Sequence, residues 1–411
     1  MGAPLELGTK IDWGSDQSHL LLNPQLGSQD QVELSALAKK FRQPSSVWIA
    51  SSGSSKKANE SLKLIGLSKA AFISSAMAVN EHLGSIQETG KKDVWIQALP
   101  RFHVGGLSIE LRAELSGAKV VEGLVGTSTL STGQAFPWQA NKFIERAAES
   151  GATLSALVPT QIHDLVQTGL RAPSRLRAIV VGGATLNESL YFKARELGWP
   201  LLPSFGLTEC CSQVATAEIK SLSENPLSNP FPRLRLLSHC QVELSAEGFL
   251  KILSPALFSG YAQKKDDRQQ WHPNERGEWW TSSDKAEIHR EKLGIYLNPK
   301  GRDFEFVKIN GEGVLLSKLR ENLSSLINSQ WPSVETEFVL LDLNHERQGT
   351  ELVLVHSEKA SATLANEVLL QFNQRVISLE KLKRTIQVLA IPRSALGKIQ
   401  WEELRRLSFK I

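Results

Sequence analysis

Residues 201–216 read Leu201-Leu202-Pro203-Ser204-Phe205-Gly206-Leu207-Thr208-Glu209-Cys210-Cys211-Ser212-Gln213-Val214-Ala215-Thr216. An apolar run enters a five-residue turn holding an aromatic ring, a glycine, a hydroxyl and a carboxylate. These residue types suit a nucleotide. Phe205 offers a flat apolar face to a purine, Gly206 lets backbone come close to a ligand, Thr208 can donate to a phosphate oxygen, and Glu209 is a hard oxygen ligand suited to Mg²⁺. The same residues also fit an ordinary strand-to-helix turn, with Thr208 as a cap and Glu209 near the helix start. Segments elsewhere in the chain decide between the two.

Working outward, similar turns follow other apolar runs. Residues 47–50 precede Ser51, Ser52, Gly53, Ser54 and Ser55, and residues 94–100 precede Phe102-His103-Val104-Gly105-Gly106. Residues 154–159 are mostly apolar, residues 176–181 lead into Gly182, Gly183 and Ala184, and Ile391-Pro392-Arg393-Ser394-Ala395-Leu396-Gly397-Lys398 lies near the end. In this order the turns resemble the adenylate-forming superfamily of acyl-CoA synthetases, luciferases and peptide-synthetase adenylation domains. Within it, F-H-V-G-G-L-S-I, V-P-T-Q, G-G-A-T-L, F-G-L-T-E-C-C-S-Q-V-A-T and P-R-S-A-L-G-K-I are most similar to the o-succinylbenzoate-CoA ligase family of menaquinone synthesis. The similarity runs from about residue 45 to the C-terminus.

Short β-rich runs alternate with amphipathic helical patterns at residues 141–150 and 187–197, so the main body reads as α/β with largely parallel sheets. Ligands in such sheets collect at the carboxyl ends of the strands, where these turns would sit. The polar, charged residues 262–276 read as exposed loops bordering a smaller β-rich subdomain. The resemblance implies the adenylate-forming fold. A large ATP- and acyl-binding α/β domain is expected over residues 1–301 and a small mobile α+β domain over residues 302–411, with a hinge near Gly301 and Arg302.

The implied chemistry has two steps. A carboxylate attacks the α-phosphorus of ATP to give an acyl-adenylate and pyrophosphate, and the CoA thiol then displaces AMP. By resemblance Phe205 packs on adenine, Gly182, Gly183 and Ala184 wall the adenine and acyl sites, Gly206 lies against the nucleotide, Thr208 holds phosphate and Glu209 binds Mg²⁺. Asp284 matches an aspartate that accepts from both ribose hydroxyls, a task suited to a carboxylate, and Arg302 matches an arginine that also meets the ribose. Lys398, on a glycine-preceded loop of the mobile domain, matches the lysine delivered to the α-phosphate and carboxylate oxygens. Lys308 and Gly311 match the segment that approaches CoA.

For the acyl group, the resemblance makes His103 line the pocket and gate the pantetheine channel. Arg112 matches a place where o-succinylbenzoate ligases can carry an arginine for the second carboxylate, a charge whose burial requires a cationic or well hydrogen-bonded partner. It reads equally as an exposed helix residue within residues 109–115. Ser212 and Gln213 are further candidates for the same pocket.

The chain departs from the family pattern in several places. The family's phosphate loop continues its Ser/Thr/Gly run with Gly-x-Pro-Lys-Gly, whereas here Lys56-Lys57-Ala58-Asn59-Glu60-Ser61-Leu62 follows. Lys63 falls in the lysine register with about four extra residues before it, and Lys56 or Lys57 could substitute, since an ammonium acts as a point charge. About 50 residues precede the loop, where relatives have roughly twice that. An abbreviated first subdomain is therefore expected, with apolar surface that favours a homodimer. Phe304 and Glu305 stand at the hinge where acidic residues are common.

Composition narrows the classes. At about 100 to 200 residues per domain, 411 residues make two or three units with ample core. A net charge of +4 is too small and dispersed for a nucleic-acid surface, and no apolar stretch or leader suggests a membrane span or secretion. Cys210, Cys211 and Cys240 have neither metal spacing nor an even disulfide framework, so the chain reads as cytoplasmic. Three functions stay open: an ATP-dependent o-succinylbenzoate-CoA ligase, an aryl- or acyl-CoA ligase of other specificity, and a noncatalytic nucleotide-binding relative. Retention of Glu209, Asp284 and Lys398 argues against the last.

Overall fold

Four short apolar runs of the sequence become the parallel centre of the larger sheet. The strands Val94–Gln97, Leu154–Leu157, Ala178–Val181 and Leu201–Leu207 lie side by side and parallel, with Lys119–Glu122 parallel at the edge. Strands buried on both faces read as near-continuous hydrophobic runs, and every residue of Leu154–Leu157 and Ala178–Val181 is buried. One face is covered by the helices Ala140–Ser150, Pro159–Gln167 and Glu188–Glu196, through Phe143, Ala147, Ile162, Leu165, Leu190 and Ala194. The other face is covered by Lys69–His82 and Val104–Ser116, through Val79, Ile109 and Ala113.

This computed structural model describes residues 5–7, 10–24, 26–50, 63–85, 92–123, 138–184, 186, 188–223, 231–265, 268–302, 306–331, 337–392, 399 and 401–408. They form two compact units, residues 1–301 and 302–411. Among the described residues no helix is long and apolar enough to cross a membrane.

The expectation of largely parallel sheets holds for only part of the first unit. Beyond Leu201–Leu207 the eleven-stranded sheet continues through Ser212–Ala217, Leu234–Leu236, Gly294–Arg302, Trp280–Glu291, Phe249–Leu253 and Gln241–Leu244. The pairings recorded there are antiparallel. Where neighbours are joined by tight turns, as Leu201–Leu207 with Ser212–Ala217 and Gln241–Leu244 with Phe249–Leu253, the chain must reverse direction, whereas parallel neighbours need a crossover. A second sheet of six strands has the order Leu5–Leu7, Ser18–Leu21, Ser46–Ala50, Lys63–Ser68, Gly260–Lys265 and Arg268–Pro273.

Those last two strands correct the reading of residues 262–276 as exposed loops. They pair antiparallel from Gly260 opposite Pro273 to Lys265 opposite Arg268. Arg268 and His272 are exposed and Gln263, Lys264, Gln269 and Gln270 half-buried, while Ala262 is buried and Trp271 packs edge-on against Trp48 at 5.5 Å between ring centroids. Half of a two-residue period was enough to build a strand that composition alone reads as loop.

The second unit has its own core. The antiparallel strands Phe338–His345 and Gly349–Ser357 take Thr385–Val388 as a parallel neighbour. One core cluster joins Leu340, Leu352 and Leu354 to Leu319 and Leu323 of the helix Leu316–Gln330 and to Val368 and Phe372 of Ala362–Asn373. A second joins Leu341, Val353 and Ile386 to Leu404 of Trp401–Ser408. A separate hairpin, Phe306–Ile309 with Glu312–Leu315, turns on Asn310 and Gly311.

Candidate active site

The quoted stretch is the tip of an antiparallel hairpin, where the sequence allowed a strand-to-helix turn. Leu201–Leu207 runs into one turn of 3-10 helix at Thr208–Cys210, and Ser212–Ala217 returns beside it, with Gln213 opposite Gly206. Gly206 is required by the closeness of that return. A Cβ there would lie 2.2 Å from the Ser212 carbonyl oxygen, a backbone atom with nowhere to retreat. Phe205 is half-buried against the cluster containing Leu207, Cys210, Val214 and Leu297, which leaves part of its ring open.

The reversal itself is made by two non-glycine residues at positive φ, Cys211 at 53° and Ser212 at 122°. Backbone held in such regions costs roughly 1–3 kcal/mol per residue and persists only when surrounding structure enforces it. The enforcing groups come from two helices. Ser108 Oγ and Ser75 Oγ both donate to the Cys211 carbonyl, at 3.2 and 3.4 Å. Arg112 Nη2 donates to Ser212 Oγ at 3.2 Å. With the Gln213 amide oxygen turned toward the guanidinium, it accepts from Arg112 Nη1 and Nη2 at 3.1 Å each.

Arg112 is only 1% exposed, which rules out its reading as an exposed helix residue. Its Nε has no hydrogen-bond partner among the described residues, and no carboxylate there pairs with it. Trp95 lies under the guanidinium at 6.0 Å. Burial lowers its pKa to about 9, which leaves it charged at neutral pH. Its charge reaches His239, whose pKa is lowered to about 4 by burial first and by Arg112 second. The hairpin therefore rests on a buried positive charge that no acid among the described residues neutralises.

Glu209 sits half-buried at the front of the same turn. Its main-chain carbonyl accepts from the Phe258 N–H at 2.8 Å, and its Oε1 accepts from Tyr261 Oη at 3.2 Å. The Thr208 hydroxyl makes no hydrogen bond among the described residues. Asp284 lies in the strand Trp280–Glu291, where alternation turns Ser282, Asp284 and Ala286 inward and leaves Asp284 8% exposed. It belongs to the same neighbourhood as Glu209. The buried Cys210 thiol is pushed well up by burial, and the nearby Cys240, Glu209, Cys211 and Asp284 charges add to that.

Adjacent strand ends supply the other candidates. Gly182, Gly183 and Ala184 follow Ala178–Val181, with Gly182 N–H donating to the Leu157 carbonyl at 3.1 Å and Ser204 Oγ donating to that of Val181 at 3.0 Å. His103 caps the start of Val104–Ser116, beyond the end of Val94–Gln97, with its ring 4.7 Å from that of Phe102. The structure thus gathers His103, Gly182, Gly183, Ala184, Phe205, Gly206, Thr208 and Glu209 at the carboxyl ends of neighbouring parallel strands. Ser212, Gln213 and Arg112 lie beneath them. Lys308 and Gly311 fall in the second unit, on the Phe306–Leu315 hairpin. Ser51, Ser52, Gly53, Ser54, Ser55 and Lys398 lie outside the described residues, and of Arg302 only the backbone is described. Sequence reasoning missed Tyr261, Ser75 and Ser108, whose place at the site depends on contacts distant in the chain. Only the aromatic after Gly260 offered a signal.

Comparison with known proteins agrees with this geometry. Residues 63–262 match the model of the AMP-binding enzyme family. A 2-succinylbenzoate--CoA ligase of Staphylococcus aureus (strain MSSA476) is 25% identical over 335 residues, covering 81% of this chain. The chain spans 62% of the length of that relative. Among solved structures, a double mutant of o-succinylbenzoate CoA synthetase (MenE) from Bacillus subtilis, bound with its product analogue OSB-NCoA, superposes with a TM-score of 0.64. It is 20% identical and covers 88% of this chain and 69% of that one. The same B. subtilis enzyme in complex with ATP and magnesium ion gives a TM-score of 0.53 at 19% identity, covering 94% and 84%. Residues 63–262 are thus similar to the AMP-binding enzyme family, and the chain shares the fold of these solved structures.

Proposed function

We propose that this protein is an ATP-dependent acid–thiol ligase that converts o-succinylbenzoate to its CoA thioester through an acyl-adenylate. The observation that carries this reading is the grouping of Phe205, Thr208 and Glu209 on one hairpin tip beside the Gly182–Ala184 turn, above a buried guanidinium lacking an acid partner among the described residues. Adenine packs on the open part of Phe205, and the Thr208 hydroxyl donates to a phosphate oxygen. Asp284 accepts from the ribose hydroxyls. Arg302 meets the same sugar, and Ser51, Ser52, Gly53, Ser54 and Ser55 cover the outer phosphates.

Glu209 fits Mg²⁺, which is usually bound through one or two carboxylates together with substrate phosphates. One of its oxygens is engaged by Tyr261, which fixes the carboxylate plane. Mg²⁺, when bound, neutralises phosphate charge, and phosphoryl transfer depends mainly on such neutralisation and on positioning. A substrate carboxylate oxygen then attacks the α-phosphorus and pyrophosphate departs. Lys398 of the small domain, residues 302–411, stabilises the charge that develops. In the second step the CoA thiolate attacks the acyl carbon and AMP leaves, with His103 at the channel and Lys308 and Gly311 beside CoA.

Selection of a dicarboxylate follows from the Arg112 charge. Its donors run to Ser212 and Gln213, and a second carboxylate reaching that floor supplies the acid partner that the guanidinium lacks among the described residues. The three free buried thiols fit a cytoplasmic enzyme, and a homodimer is the expected assembly, to be read by light scattering. A panel of aryl and fatty carboxylates scored for AMP release, with and without CoA, tests the whole reading. Turnover confined to o-succinylbenzoate supports it, turnover on another acid moves the specificity, and silence on every acid with intact ATP binding makes the protein a noncatalytic relative.

A further inference from the structure

The Glu209 carboxylate is not held by its own hairpin. Among the described residues its one side-chain partner is Tyr261, from the strand Gly260–Lys265 of the other sheet, and Phe258 on the approach to that strand grips the Glu209 main chain. The Phe258 and Tyr261 rings pack at 4.5 Å, so one short segment restrains Glu209 at both backbone and side chain. Tyr261 is in turn covered by a cation. In the antiparallel register Tyr261 stands opposite Ile65 and Gln263 opposite Lys63, which makes Lys63 the diagonal neighbour of Tyr261 on one face. Lys63 Nζ lies 3.2 Å from the centroid of the Tyr261 ring.

We propose that Tyr261, with Lys63 seated on its ring, is a positioning device for the Glu209 carboxylate, additional to the residues that touch nucleotide. A cation over the ring face draws electron density from the phenol and makes its O–H a stronger donor, and a donor to a carboxylate is among the stronger hydrogen bonds. Held at Oε1, the carboxylate presents Oε2 in one orientation. Lys63 begins the strand that directly follows residues 51–62, so its seat on Tyr261 also ties the end of the phosphate-loop sequence to the metal carboxylate. This inference rests on the reading of Glu209 as the Mg²⁺ ligand.

Calorimetric titration of the full chain with ATP, once with Mg²⁺ and once with EDTA, tests it. Tyr261→Phe keeps the ring and its cation and removes only the donor. It is expected to weaken MgATP binding about tenfold and to leave metal-free ATP unchanged. Lys63→Met is expected to weaken MgATP about threefold and to add nothing in the Tyr261→Phe background. Unchanged MgATP affinity in Tyr261→Phe, with normal wild-type binding, overturns the inference alone. Equal weakening of metal-free ATP by Lys63→Met shows direct action on phosphate and overturns the pairing. Wild-type protein that binds no MgATP overturns both this inference and the function on which it rests.

Discussion

Two hairpins of this protein reverse the chain with positive φ angles, and they do so by opposite means. In the second unit, Asn310 and Gly311 at φ 52° and 86° make a two-residue turn between Ile309 and Glu312. Both angles are positive, as in the primed turn that Asn-Gly favours, so the turn is written in its own two residues. In the first unit, Cys211 and Ser212 adopt φ 53° and 122° without any such preference. That corner is imposed by Ser75, Ser108 and Arg112 from two helices far away in the chain. A turn that needs outside support is coupled to whatever it carries, and this one carries Thr208 and Glu209.

If the imposed turn is the chemical one, its loss should abolish reaction before it abolishes structure. Glu209→Ala should lower ATP–pyrophosphate exchange on the order of 10²–10³-fold while ATP still binds, and exchange at the wild-type rate would break the assignment. Gly206→Ala drives a Cβ into the returning backbone and should destabilise the first unit by about 3 kcal/mol, read by chemical denaturation.

Burial of His239, with the Arg112 charge second, gives the corner an acid sensitivity, whereas burial raises the Glu312 pKa beside the Asn310–Gly311 turn and acts in the opposite sense. His239 has its pKa depressed to about 4, so between that value and 6.5 the unfolded chain binds the extra proton and stability falls as pH falls. The loss between pH 7 and pH 5 should be about 2 kcal/mol, and His239→Gln should remove most of it. Arg112→Met should raise the His239 pKa, an NMR titration being the direct check. A His239 that titrates identically in both proteins would separate the guanidinium from this corner.

Smaller effects sharpen the contrast. Ser108→Ala removes one of the two side-chain donors to the Cys211 carbonyl among the described residues and should lower stability by about 1.5 kcal/mol, with a proportionate fall in adenylation. Gly311→Ala should lower stability by about 1 kcal/mol through backbone strain at its positive φ, without changing ATP binding. If Gly311→Ala lowered adenylation as much as Ser108→Ala did, the distinction between a local and a supported turn would not stand.

Legibility in the sequence follows the same division. The strands Leu154–Leu157 and Ala178–Val181 and the helices Ala140–Ser150 and Glu188–Glu196 follow from apolar runs and helical periodicity, because the apolar spacing that burial requires is written in each short segment, although the strands find their partners elsewhere in the chain. The hairpin Gly260–Pro273 was masked by polar composition, and only its packing of Ala262 and Trp271 against Trp48 explains it. Arg112 admitted two readings, and burial removed the exposed one, a decision made by which face of Val104–Ser116 meets the sheet.

By itself the sequence determined the α/β class, the order of the ligand-facing turns and the residue types at the Phe205–Glu209 tip, since these are properties of short segments. Tertiary structure alone decided that this tip is a hairpin and that Cys211 and Ser212 are held against their own preference. It also put a tyrosine 52 residues away on Glu209. The physical reason is that strain, charge burial and side-chain orientation are set by groups brought together across the chain. A linear pattern records the groups but not their meeting.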